Sequence, residues 1–428
     1  MLQEAEMVLW AITIVSTAIL YWIYDGYGRA LLIQNAIRTL FRRQPETLVE
    51  TLGDDSLPSL TVLLTVHNEA AVIRDRIENL LQCDYPSDRL SIVVASDGST
   101  DETNALVRSF SDHGVRLHES PGLGKTATQN AAIKAIDSTL IVFTDADITF
   151  DRQFLKFIAR PFGDSTVGAV DGRLLYSSQP ALDIQACQGF YWNYELRLRL
   201  LESRLGTLAV VAGACFALRR SLFMTMDPAI GEDCIVPLDV VAQGYRVLHE
   251  PAARAFLPMD DDAAMTLRKR VRMTLRNWQG TWTRSELLNP FRVPGYAFAL
   301  WSHKLLRWLS PVFLVAATLS SMTLLATNPS AITFAAFAPF ATLFALAAFG
   351  WLALRRSIRI PAAGTAYSFV LANTAFAIGV CRAVSGQQIH SYSNTPTPIA
   401  QLVSGTNVSG APPMDKTNHA SGLRPGAG

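Results

Sequence analysis

The chain has 428 residues, half of them hydrophobic and only 17% charged, with a net charge of +1. That length accommodates two or three domains, the balanced charge carries no signature of a nucleic-acid partner, and the positive mean hydropathy points to segments in lipid. Cys83, Cys187, Cys215, Cys234 and Cys381 form no Cys-x-x-Cys pair and have no His at ligand spacing, which argues against a zinc site or a disulfide framework and suits a reducing compartment.

At the N-terminus, Met7 to Tyr24 is uncharged; Glu4 and Glu6 precede it, and Asp25, Arg29, Arg38, Arg42 and Arg43 follow. A signal peptide has the opposite charge order and a small-residue cleavage site. The pattern therefore predicts an uncleaved anchor, with residues 1–43 forming the anchor and its basic flank.

Residues 44–303 differ in composition and read as alternating strands and helices. Ser59–Val66 is a strand of buried type, Glu69–Cys83 has helical spacing, Leu90–Ala95 is a second strand and Thr100–Ser111 a second helix. Val115–Leu117 fits a short third strand, Thr126–Ile136 a helix and Leu140–Thr144 a further strand. Such alternation implies an α/β domain with a mostly parallel sheet covered on both faces. Ligands of these sheets collect beyond the carboxyl ends of the strands, which brings His67-Asn68-Glu69, Ser96-Asp97-Gly98 and Asp145-Ala146-Asp147 to one crevice.

Asp145 and Asp147 lie one residue apart after an apolar strand, so their side chains point the same way. An acidic pair there suits a hard divalent cation, Mg2+ or Mn2+, that keeps positions for substrate phosphates; a solvated acidic turn is the plain alternative. Gly122-Leu-Gly-Lys-Thr126 resembles the end of a P-loop, but Glu119 stands where the first glycine belongs, which argues against a nucleotide-hydrolysing ATPase. Lys125 can still approach a diphosphate from a helix start. Gly231-Glu-Asp-Cys234 reads either as an acidic helix start or as a catalytic carboxylate pair. Val210–Ala217 is a segment of small and apolar residues, as close ligand approach or tight packing would each require. Ile184–Leu205 mixes Phe190, Tyr191, Trp192 and Tyr194 with Arg197, Arg199 and Arg204, the composition of an interfacial or a half-buried cytosolic helix.

Three further uncharged stretches, Trp308–Thr327, Ala331–Leu354 and Pro361–Cys381, are each long enough to cross about 30 Å of hydrocarbon, and the first anchor is the shortest of the four. Residues 304–384 thus form a three-span block. Arg29 to Arg43, then Lys304 and Arg307, then Arg355, Arg356 and Arg359 all fall on one side, which predicts a plasma (inner) membrane protein with its soluble domain in the cytosol. Residues 385–428 are rich in Ser, Thr, Pro and Gly and are expected to be a disordered tail; Asn407-Val-Ser409 is a glycosylation sequon within it.

Five segments occur together and in order: Thr65-Val-His-Asn-Glu69, Ala95-Ser-Asp-Gly-Ser-Thr-Asp101, Gly124-Lys125 followed by Asn130, Thr144-Asp-Ala-Asp147 and Gly231-Glu-Asp233. This series resembles family 2 glycosyltransferases, in the membrane-embedded branch that includes hyaluronan, chitin, cellulose and poly-N-acetylglucosamine synthases. One anchor before the soluble block and several spans after it fit that branch too. The resemblance implies a GT-A type nucleotide-sugar-binding domain at 44–303 and an inverting transfer that uses Mg2+ or Mn2+. It implies that Asp97 contacts the base or ribose, with Thr65, His67 and Glu69 lining the same pocket, and that Lys125 and Arg272 serve the donor diphosphate. Asp145 and Asp147 would hold the metal and Asp233 would act as general base beside Glu232. Gly213, Ala214 and Cys215 would shape the acceptor site. The branch's Gln-x-x-Arg-Trp motif is only partly kept: Lys269 stands for Gln, Arg272 for Arg and Met273 for Trp, with Trp278 as a replacement platform for a sugar ring.

The implied function is transfer of a sugar from a nucleotide sugar, expected to be a UDP-sugar, to a growing extracellular or cell-surface polysaccharide. Two other readings compete. One is a non-processive transferase acting on a lipid or lipid-linked acceptor, and the other an inactive membrane-tethered scaffold on a transferase fold. The expected partners are the donor, a polysaccharide or lipid-linked glycan, and the lipid bilayer.

Overall fold

A computed structural model of the chain describes residues 2–41, 52–176, 183–258, 263–356, 358 and 360–388, with the side chains of 183–191 and 263–264 left aside. The expectations for Arg42, Arg43, Arg359, the sequon and the tail beyond residue 388 lie outside the described residues.

The chain opens with α1 (Leu2–Tyr21) and α2 (Tyr27–Phe41), joined by a π-helical turn over Trp22–Gly26. The helix continues past the uncharged Met7–Tyr24 stretch expected as the anchor into its expected basic flank at Arg29 and Arg38, and at 39 residues it is the longest of the four apolar helices among the described residues. Its extension has a physical reason: Tyr27 and Leu31 turn onto Leu198 and Leu201, while the i,i+4 pair Asp25 and Arg29 keeps its charges at the surface.

The next elements alternate as the sequence predicts: β1 (Leu60–Val66), α3 (Ile73–Leu81), β2 (Leu90–Asp97), α4 (Thr103–Arg108), β3 (Val115–Ser120), α5 (Lys125–Ile133) and β4 (Leu140–Thr144). The helix expected from Glu69 starts later, at Ile73. The amides of Glu69 and Ala70 are taken by Thr103 Oγ1 and Asp101 Oδ2 of the neighbouring loop, so the chain turns once before the helix begins. There follow β5 (Thr149–Phe150), α6 (Phe154–Ala159), β6 (Val167–Tyr176), α7 (Asp183–Leu205), β7 (Cys215–Arg219), α8 (Glu232–Ala242), β8 (Arg246–Leu257) and α9 (Ala263–Thr283).

These strands form one sheet of order β3-β2-β1-β4-β7-β6-β8-β5. β3, β2, β1 and β4 run parallel, β7 is antiparallel to both β4 and β6, and β6 is parallel to β8. The mostly parallel sheet is thus as expected, and its strands read as continuous apolar runs because both faces are covered. Leu60, Val62 and Leu64 of β1 pack with Ile73 and Ile77 of α3, whereas Leu63 packs with Phe143, Ile133 and Phe216 on the other face. Phe143 and Phe216 stack across the β4–β7 junction with centroids 4.6 Å apart.

After α9 come α10 (Pro294–Ala299), a π-helical segment at Leu300–Leu305, α11 (Leu306–Trp308), α12 (Ser310–Thr327), α13 (Ala331–Arg355) and α14 (Pro361–Val384). Among the described residues, four helices are long and apolar enough to cross a membrane: the α1–α2 helix, α12, α13 and α14. Polar side chains join them, as is common between helices in lipid: Thr13 meets Ser320 at 2.7 Å, and Ser310 donates to Asn373 Oδ1 at 2.7 Å. The amphipathic α9 lies along α14, where Leu267 and Val271 meet Ala375 and a Cβ at Gly379 would fall 2.6 Å from Thr274 Cβ.

Candidate active site

The parallel strands β1, β2 and β4 end at the same edge. On the β2 end, Asp97 Oδ1 accepts from the Gly124 amide (3.0 Å) and from Thr128 Oγ1 (2.8 Å), and its carbonyl accepts from His67 Nδ1 (2.7 Å). Asn68 adopts a left-handed φ of 56°, and its Oδ1 accepts from the Thr100 amide at 2.8 Å. Gly98, at φ +66°, has no room for a side chain: a Cβ would fall 2.8 Å from Gly122 Cα. The loops after β1, β2 and β3 are therefore pinned together; the third of the expected clusters, Asp145-Ala146-Asp147, follows β4. The hydroxyl of Thr65, buried near the end of β1, makes no hydrogen bond within the described residues.

On the β4 end, Lys125 Nζ sits between two carboxylates, 2.6 Å from Asp145 Oδ1 and 2.6 Å from Glu232 Oε1. It joins the acidic pair after β4 to the acidic start of α8. Burial and the charge of Asp145 hold the Asp147 carboxyl above its usual range, with Lys269 and Lys125 as partial counterweights. Glu69 is raised in the same way, by burial and then by Asp147 and Asp145. Among the described residues no three His, Cys, Asp or Glu side chains gather as a self-sufficient metal site.

The third wall carries Asp233, the second residue of α8. Gly231 caps this helix in an extended conformation, so the acidic helix start and the carboxylate pair are one feature. Glu232 is buried and held below its usual range by Lys125 despite the burial, whereas Asp233 is held above it by burial and by the neighbouring Glu232. Arg276 of α9 closes this wall, donating from Nε to the Ala229 carbonyl (3.2 Å) and from its terminal nitrogen to Thr126 Oγ1 (2.9 Å). Asn130 brackets Met226 by bonding both its carbonyl (2.8 Å) and its amide (3.0 Å). A Cβ at Gly213 would stand 3.1 Å from Asp233 Cβ and 3.4 Å from Glu232 Oε1, so the loop before β7 lies directly on the pair.

Two expected acceptor-side residues have packing roles. Cys215 is fully buried at the start of β7, opposite Thr144, so its side chain belongs to the core rather than to a cleft surface. Trp278 is half-buried and packs its ring against Trp282 and Trp308, with centroids 5.9 and 6.2 Å away. Arg272 lies on α9 one turn before Arg276, and it is Arg276 whose charge bears on both Glu232 and Asp233.

Sequence reasoning missed Arg76. It is buried on the apolar face of α3, donating to the Asp145 carbonyl (3.2 Å) and Thr144 Oγ1 (2.7 Å) with its guanidinium carbon 4.2 Å from the Phe150 ring centroid; burial pushes it down to about 10. The signal was present, since Ile73, Arg76, Ile77 and Leu80 share one helical stripe and an arginine in such a stripe calls for a partner.

Residues 61–226 match the family described as Glycosyl transferase family 2. A Bacillus subtilis (strain 168) protein carrying the name "Probable glycosyltransferase YdaM" is 28% identical over 220 residues, which cover 46% of this chain and 50% of that protein. The poly-beta-1,6-N-acetyl-D-glucosamine synthase of Staphylococcus aureus (strain COL) is 25% identical over 264 residues, covering 59% of this chain and 61% of that one. The similarity to these relatives thus spans half to three fifths of their length. Among solved structures, the mannosyltransferase PcManGT from Pyrobaculum calidifontis in complex with GDP-Man and Mn2+ has a TM-score of 0.63 at 22% identity, covering 89% of this chain and all of that one; the two share a fold.

Proposed function

We propose that this chain, which carries a family 2 glycosyltransferase domain, is a membrane-bound enzyme that moves a sugar from a nucleotide sugar to a hydroxyl of a growing polysaccharide. The observation that carries the reading is the convergence of Asp145, Asp147, Lys125 and Asp233 on one sheet edge. Asp97, with Thr65, His67 and Glu69, would hold the nucleoside.

Asp145 and Asp147 would hold a divalent cation together with the donor diphosphate; burial, and then the neighbouring carboxylates, raise Asp147 and Glu69, and a bound cation would relieve both effects. When bound, the ion would neutralise charge on the departing diphosphate. Lys125 and Arg272 would add fixed positive charge toward the same oxygens. Asp233 would take the proton of the acceptor hydroxyl while that oxygen bonds the anomeric carbon and the bond to the diphosphate oxygen breaks, with inversion. Its raised pKa brings it nearer to the working pH of a general base. Gly213 would let the acceptor end approach this carboxylate closely, with Trp278 on the same side.

The S. aureus relative is named for a polymer of N-acetylglucosamine, which favours a UDP-sugar donor and a polymeric product. The basic residues flanking the apolar helices favour a catalytic domain on the cytosolic side of the plasma membrane. The test is release of nucleoside diphosphate by purified protein in nanodiscs, from UDP- and GDP-sugars, with Mg2+, with Mn2+ and with chelator, followed by sizing of the product. Metal-dependent release with a long product is expected. A single-sugar lipid product would replace the polymerase reading by the non-processive one, and absence of both turnover and donor binding would leave the scaffold.

A further inference from the structure

Asp171 lies in the middle of β6, is fully buried, and belongs to none of the donor motifs. Its Oδ1 accepts from the Ala212 amide at 2.6 Å, and its Oδ2 from His249 Nδ1 at 2.8 Å and from Arg199 at 3.2 Å. Arg199 and His249 are buried as well. An apolar trio of similar volume would cost less to bury, so stability alone gives weak grounds for these charges. What the trio supplies is a fixed direction for one loop amide.

That loop, residues 206–214, contains no helix or strand, leaves α7 through Gly206 at φ +73° and enters β7 at Cys215. β6 grips it twice: the Asp171 carboxylate takes the Ala212 amide, and at Gly172 a Cβ would fall 2.7 Å from the Cys215 carbonyl. Between the two grips stands Gly213, pressed against Asp233 and Glu232. Arg199 also bonds Glu195 at 3.4 Å, and Glu195 accepts from Arg307 at 2.8 Å and meets His303 at 2.9 Å, just before α12. The loop is therefore referenced both to the sheet and to the segment entering an apolar helix.

We propose that Asp171, held by Arg199 and His249, is a positioning residue: it fixes loop 206–214 through the Ala212 amide, and that loop seats Asp233 for proton transfer. The proposal rests on the transferase reading for its kinetic consequence, and on the hydrogen bonds alone for its structural one. It concerns the acceptor side, so donor binding should be spared.

The experiment compares full-length wild type with Asp171→Asn and Arg199→Lys in nanodiscs, by hydrogen–deuterium exchange and by Mn2+-dependent release of UDP from UDP-N-acetylglucosamine, or of the diphosphate from whichever sugar nucleotide turns over. Faster exchange confined to 206–214 and the start of α8 is expected. So is a fall in kcat of about tenfold or more with donor KM within about twofold, the signature of lost alignment rather than lost binding. Unchanged exchange in 206–214 overturns the proposal, as does a donor KM that worsens in step with kcat. If Asp171→Asn does not fold, Arg199→Lys decides by the same readouts, because it keeps the charge and loses only the guanidinium geometry. A wild type that turns over no donor overturns the transferase reading, while exchange still decides whether Asp171 holds the loop.

Discussion

Two clusters of charge sit within this molecule, one half-exposed at the sheet edge and one largely buried around α7, and they are built from the same residue types to different effect. At the sheet edge, the acids Glu69, Asp145, Asp147, Glu232 and Asp233 stand among Lys125, Arg276, Lys269 and Arg76; Glu69, Asp147 and Asp233 are held above their usual range, first by burial and then by neighbouring carboxylates, while Glu232, against Lys125, is held below it. Around α7, Glu195 and Asp171 face His303, Lys304, Arg307, Arg199 and His249, and both carboxyls are held below it despite complete burial. Burial alone would raise every one of these acids. The sign of the shift therefore reports the local balance of charge. A carboxylate set against a cation, as Glu232, Glu195 and Asp171 are, is held down even when buried; one set against other carboxylates, as Asp147 and Asp233 are, is held up.

That contrast breaks most sharply at Asp233. Asp233→Asn should lower kcat by about 10²–10⁴-fold while leaving donor binding in place, measured by single-turnover kinetics and donor titration; full activity would remove Asp233 from the base role. Around α7 the reverse is expected. Arg199→Ala should remove ~3–5 kcal/mol of stability in denaturant unfolding by stranding Asp171 and Glu195, with no change in Mn2+ affinity of the folded fraction.

A smaller effect sharpens the comparison from within the site. Lys125→Met should weaken donor binding about tenfold yet strengthen Mn2+ binding without donor, because Asp145 loses its internal cation. Calorimetric titration of both ligands checks the pair of signs. The smallest effect is in pH. The raised carboxyls of Glu69 and Asp147 bind more protons folded than unfolded, so stability falls as pH rises from their usual values, 4.5 and 3.8, through their folded ones. Glu195 and Asp171 behave oppositely: their contribution is complete above 4.5 and 3.8 and is lost as pH falls below those values toward their depressed ones. Metal-free protein should therefore melt highest on the acid side of neutral, and saturating Mn2+ should raise the melting temperature on the neutral side.

Much of the donor half was legible because its information is local. An apolar run followed by Asp-x-Asp can be read within ten residues, and β1 to β4 with their polar ends lie where the sequence predicts. The α7 cluster was not legible, because Asp171 meets His249 and Glu195 meets Arg307 only through the fold. Arg76 was overlooked because an arginine in a helix usually faces water. Arg272 and Arg276 occupy successive turns of α9, and spacing alone could not tell which one closes the wall beside Asp233. The N-terminal helix runs past its uncharged stretch, which charge marks in the sequence, because Tyr27 and Leu31 pack against α7, which the sequence does not show.

The order of strands also bears on how the chain is made. All of β3-β2-β1-β4 comes from residues 60–144, and β7, which covers the open side of β4, begins only at Cys215. At about 5–20 residues per second, a ribosome leaves the Leu140–Thr144 backbone without that neighbour for roughly 4–14 s. During this interval a short apolar strand is available to any other nascent chain. A fragment of residues 52–150, which lacks the apolar N-terminal helix but contains every nucleotide-side loop, should therefore collect in the insoluble fraction, and extending it through Arg219 should lower that fraction.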